Sequence, residues 1–116
     1  MAAVSNEFPT KCRLKTKGQF KIVFTKGKKV LSNWFAIFYY KNGLDHSRIG
    51  IVATKKNLPN ATMRNKFKRI VRESFRLAAK NRVEGVDIVV FAYKKAANLS
   101  TIDLRKWLDQ YLVKFI

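Results

Sequence analysis

The residues with the strongest chemical character in this chain are cations. Between Arg64 and Arg76 the sequence reads RNKFKRIVRESFR, and Lys68, Arg72, Arg76 and Lys80 follow in unbroken i,i+4 succession. On a helix, residues at that spacing lie one above another. Like charges so placed oppose the helix by about 0.2–0.5 kcal/mol per pair, whereas a helix charged only for solubility mixes signs. An external polyanion relieves this repulsion. Arginine also offers a planar fork that matches two phosphate oxygens. Lys55 and Lys56 add two cations upstream, and Asn60 and Asn65 place neutral hydrogen-bonding groups among the charges. The chemistry implied is phosphate binding.

Residues for bond cleavage are scarce. The acidic side chains are Glu7, Asp45, Glu73, Glu84, Asp87, Asp103 and Asp109, and none forms a D-x-D pair suited to two magnesium ions. His46 is the single histidine, so no histidine pair exists for acid–base hydrolysis of RNA. Cys12 is the single cysteine, which excludes an internal disulfide and a multi-cysteine zinc site. The chain has no phosphate-binding GxxxxGK[ST] loop, no GxGxxG and no nucleophile elbow. These absences favour a protein that binds nucleic acid over one that cleaves it unaided. No metal site is expected in the protein.

Composition agrees. Within 116 residues, 25 Lys and Arg stand against 7 Asp and Glu, a formal charge of +18. Disordered basic tails are poor in apolar residues, but here 47% of residues are hydrophobic and 13% aromatic. The reading is one small domain, residues 1–116, with a packed core, a strong positive field and a flexible segment over residues 1–12. The longest apolar run, Trp34–Tyr40, is far short of the roughly 20 residues that span a bilayer. The N-terminus lacks a signal-peptide pattern. A soluble, reduced, cytoplasmic protein without a membrane partner is expected.

The elements that must position the cations follow from periodicity. Lys17–Lys26 reads as a short helix, with Thr16 as N-cap, Gln19 completing a capping box and Gly27 as the stop. Phe20, Val23 and Phe24 share one of its faces. Trp34–Lys41 and Arg48–Thr54 alternate as strands, and Lys29–Leu31 is a possible third. Asn60 can cap a long helix, Ala61–Arg82. On its wheel Met63, Phe67, Ile70, Val71, Ser74, Leu77 and Ala78 fill an inward arc of about 120°. Lys68, Arg72, Asn65, Arg76, Arg69 and Lys80 fill an opposite arc, flanked by Arg64 and Arg82, and Glu73 is the helix's lone acid. Val86–Tyr93 reads as a buried strand. A last helix, Thr101–Phe115, has Ser100 and Asp103 at its cap and Leu104, Trp107, Leu108, Tyr111, Leu112 and Phe115 facing inward. Helix, strands, long helix, strand, helix gives an α/β (α+β) two-layer sandwich. Three helices need not cover both faces of a small sheet. An uncovered aromatic face beside a basic helix would be a platform for stacking single-stranded bases.

The segment Arg64–Arg76 resembles the signature helix of the bacterial ribonuclease P protein subunit family. Arg13-Leu14-Lys15, Phe20 and Val23-Phe24 resemble its N-terminal segment and first helix. Arg48–Lys56 resembles the strand leading into the signature helix, and Asp87–Val90 with Ala92 the strand after it. The resemblance covers roughly residues 13–112. One departure is Lys66, where the family usually has a second arginine; charge is kept and the bidentate fork is lost.

The resemblance implies a small mixed sheet with a left-handed strand–helix–strand crossover, against the usual hand. It implies a protein that assists a catalytic RNA, which uses Mg2+ to remove the 5′ leader of precursor tRNA. Arg64, Asn65, Lys66, Lys68, Arg69, Arg72 and Arg76 would face that RNA. Phe20, Phe24 and Phe38, with Lys55 and Lys56 at the rim, would form the leader cleft. No obligate protein partner is implied. Taken without the resemblance, charge and size equally suit a structural RNA-binding protein, and a basic helix could enter a DNA major groove.

Overall fold

The computed structural model describes residues 10–79 and 85–115. Among these residues three α-helices and four strands follow one another in the expected order. Helix α1 is Lys17–Lys26, β1 Lys28–Leu31, β2 Phe35–Lys41, β3 Arg48–Val52, α2 Ala61–Ala79, β4 Val86–Ala92 and α3 Thr101–Phe115. The continuation of α2 through Lys80 to Arg82 and the expected flexibility of residues 1–9 lie outside the described residues. Residues 10–12, within the segment expected to be flexible, form a 3-10 turn. Leu14 fixes the chain just beyond it: its side chain is buried, and its N–H donates to the Ile49 carbonyl.

The sheet is mixed, in the order β1-β2-β4-β3. Strands β1–β2 and β2–β4 are antiparallel; β3–β4 is parallel, connected through α2. Alternation then assigns the faces. Phe35 and Ile37 of β2, Ile49 of β3, and Val86, Ile88, Val90 and Ala92 of β4 pack in one core with Phe67, Ile70, Val71 and Phe75 of α2 and Leu104, Leu108 and Leu112 of α3. Trp34 against Trp107 and Phe35 against Tyr111 tie α3 to the sheet through ring contacts at 5.1 and 5.7 Å. The opposite face carries a smaller cluster, where Val23 of α1, Leu14 and Val89 are joined by Phe20, Phe38, Tyr40 and Val52.

Some details differ from the wheel and strand readings, beyond one-residue shifts at the starts of β1 and β2. The buried arc of α2 is rotated: Phe75 is 2% exposed, while Met63 and Leu77 are 36% and 49% exposed. Sheet and α3 contact α2 on different flanks, and a wheel carries no information on where either partner lies. Strand β3 stops at Val52 rather than Thr54, because the chain turns there; Leu58 N–H donates to the Thr54 carbonyl and Asn57 N–H to its hydroxyl. Strand β4 ends at Ala92, before Tyr93.

Candidate nucleic-acid interface

Helix α1 is placed by its cap and by one buried contact. The Thr16 hydroxyl accepts from Gln19 N–H at 3.1 Å, and Gln19 Oε1 accepts from the N–H groups of Lys15 and Thr16. That reciprocal pairing satisfies donors the first turn leaves open. Val23, fully buried, holds α1 onto the sheet. Gly50 allows a close approach: a Cβ there would lie 2.5 Å from the Phe20 ring. The ring therefore lies directly on β3.

An open groove of about 610 Å³ results between α1, the end of β3 and α2. Its floor is apolar, from Phe20, Phe24, Ile51, Val52 and Ala53, and its walls carry Lys15, Lys17, Lys21 and Lys68. A smaller cavity of about 150 Å³ shares Phe20, Ile51 and Lys68 with it and adds Arg13 and Arg72. Among the described residues, no acidic residue lines either space. Burial, with Arg13 nearby, lowers the Arg72 pKa, so its charged form is held at a cost that an incoming anion would offset.

The residues expected in the leader cleft are only partly brought together. Phe20 and Phe24 line the groove. Phe38 is not in its lining; its ring meets Phe24 edge-on with centroids 4.8 Å apart. Lys55 and Lys56 are exposed in the turn after Thr54, itself a groove residue. Arg13, Lys15, Lys17 and Lys21 were not singled out as site residues. The spacing of Lys17 and Lys21 beside Phe20 and Phe24 was the available signal: two i,i+4 pairs offset by three residues put cations beside rings.

The cationic arc of α2 is not one surface. Lys68 and Arg72 turn toward the groove and are half-buried. Asn65, Arg69 and Arg76 face solvent. Lys66 lies on the flank toward α3, beside a separate pocket. Arg64 serves the fold: its Nη1 donates to the carbonyls of Leu58 and Pro59, both at 2.8 Å. Asn60 caps the helix, its Oδ1 accepting from Thr62 and Met63 N–H.

The family model described as Ribonuclease P matches residues 8–115. The chain is similar to the ribonuclease P protein component of Aliivibrio fischeri, with 41% identity over 104 residues that cover 90% of this chain and 88% of that one. It is equally similar to that of Thermotoga maritima, 41% identical over 92 residues covering 79% and 78%. Its fold matches the RNase P protein of Staphylococcus aureus with a TM-score of 0.79 and 33% identity, covering 89% of this chain and 93% of that one. The RNase P protein of Thermotoga maritima in complex with 1-(4-fluorophenyl)-2-thiourea matches with a TM-score of 0.79 and 37% identity, over 90% and 100%.

Proposed function

The chain belongs to the ribonuclease P protein family, and from that premise we propose that it serves 5′ processing of tRNA by holding two RNAs at once. The outward cations of α2 grip the catalytic RNA. The groove beside α1 takes the single-stranded 5′ leader of precursor tRNA. One observation carries the reading: an apolar, aromatic floor walled by cations, with no acidic residue in its lining among the described residues. Bases can stack on Phe20 and Phe24 while lysines meet the backbone phosphates. Lys68 and Arg72 stand between the groove and the outer face of α2, where they screen one RNA from the other.

The protein's work is positioning and charge neutralisation, and Mg2+ held by the catalytic RNA supplies the bond-breaking chemistry. The assembly works in the cytoplasm. Binding of precursor and mature tRNA to the assembled protein–RNA complex tests the leader assignment. Phe20→Ala should weaken precursor binding about tenfold, since stacking contributes about 1–3 kcal/mol per base. Mature tRNA, which has no leader, should bind unchanged. Equal losses on both would contradict the assignment.

A further inference from the structure

A separate pocket opens on the other flank of α2. It holds about 160 Å³ between the first turns of α2 and α3 and the 3-10 turn Lys94–Asn98. Its walls are apolar, formed chiefly by Met63, Phe67, Ala97 and Leu99. Its polar lip carries Lys66 and Thr101. Met63, like Leu77, is assigned to the core by the helical wheel, and the structure leaves it 36% exposed. The groove beside α1 does not use it.

We propose that this pocket receives one unpaired base of the catalytic RNA. The inference rests on the reading of α2 as the catalytic-RNA face and assigns that face a base-specific anchor. Size argues for a single planar group: an amphipathic helix needs a groove long enough for several successive side chains, and this space is about a quarter of the volume beside α1. Charge argues for nucleic acid. Lys66 stands on the lip, and Arg64 is pinned over Leu58, a wall residue, by its bonds to the Leu58 and Pro59 carbonyls. Asn65 and Arg69 are exposed beside Lys66 on the same helix. Among the described residues none of the lining is acidic; Asp103 is exposed in the first turn of α3. Chemistry argues for a base. Methionine is polarisable and adapts to flat rings, and RNA is read mainly through splayed bases received on apolar or aromatic surfaces. A strand lying along Asn65 and Arg69 would pass the pocket with its phosphates on the cations and could turn one base inward.

The test compares wild-type protein with Ala97→Leu, which fills the pocket, and Met63→Gln, which keeps volume and helix propensity but removes the apolar wall. Neither changes charge. Both should fold with an unchanged circular dichroism spectrum and bind the catalytic RNA about tenfold more weakly, with the same salt slope. Base-directed chemical probing should show one unpaired nucleotide of the catalytic RNA protected by wild type and reactive with either variant. Unchanged affinity and an unchanged reactivity pattern would overturn the proposal, as would a loss seen only with precursor tRNA. Failure of the wild-type protein to bind the catalytic RNA would instead remove the reading on which the proposal rests.

Discussion

Asp87 is the most consequential charged residue inside this protein. It is 3% exposed and receives Arg48 Nε at 2.8 Å, Arg48 Nη2 at 2.6 Å and Asn42 Nδ2 at 2.7 Å. The hydrogen bonds to Asp87 raise the Arg48 pKa. The pair joins β3 to β4, which are parallel and therefore cannot be linked by a tight turn. Arg48→Met should destabilise the fold by about 3 kcal/mol, because it leaves a buried carboxylate without its cation. Urea unfolding of the two proteins checks this. A shift under 1 kcal/mol would show that Asn42 suffices. Gly50→Ala should act differently. Its Cβ pushes the Phe20 ring off β3, so binding of precursor tRNA should fall several-fold with little change in the unfolding midpoint. Neither role was legible in the sequence. Arg48 and Asp87 are 39 positions apart, and only strand register makes them neighbours. Gly50 read as one of several alternating strand residues.

At the scale of elements, the sequence was most informative where local chemistry decides. The capping box at Thr16 and the Asn60 cap act within a few residues, and the helices begin where they indicate. Gly27 ends α1 in an extended conformation and is required by the close Val23 and Tyr39 carbonyls, the latter from β2. The short strand around Lys29–Leu31 was also visible. What required the structure was which flank of α2 met which partner. That is why Phe75 replaces Met63 and Leu77 in the core, and why the cations divide between two sites. Helix α3 fixes this arrangement. The buried Ser74 hydroxyl donates to Asp109 Oδ1 at 2.5 Å, and Arg105 Nε donates to the same carboxylate. Asp109→Ala should cost about 1–3 kcal/mol by leaving the Ser74 hydroxyl unpaired. Pairing it with Ser74→Ala in a double-mutant cycle should recover part of that loss. Strict additivity of the two substitutions would refute the tie. Thr16→Ala should cost about 1 kcal/mol and, by loosening the first turn of α1, weaken precursor binding more than mature tRNA binding.

Seen whole, the molecule spends its charge asymmetrically. An excess of 18 positive charges on 116 residues first reads as general attraction to polyanions. The fold directs it: the lysines of α1 and Lys68 line an aromatic groove, while Asn65, Arg69 and Arg76 are exposed on α2 outside its lining. If about six phosphates are neutralised, the logarithm of the binding constant should fall with log salt at a slope near −5. A flat response would contradict the electrostatic account. The central claim is that this chain supplies positioning and charge, and that an RNA supplies the chemistry. Reconstituted cleavage tests it most directly. Added at low magnesium to a bacterial ribonuclease P RNA, the protein should restore removal of the 5′ leader from precursor tRNA, and without that RNA it should cleave nothing. No gain over RNA alone, or leader removal by the protein alone, would contradict the account.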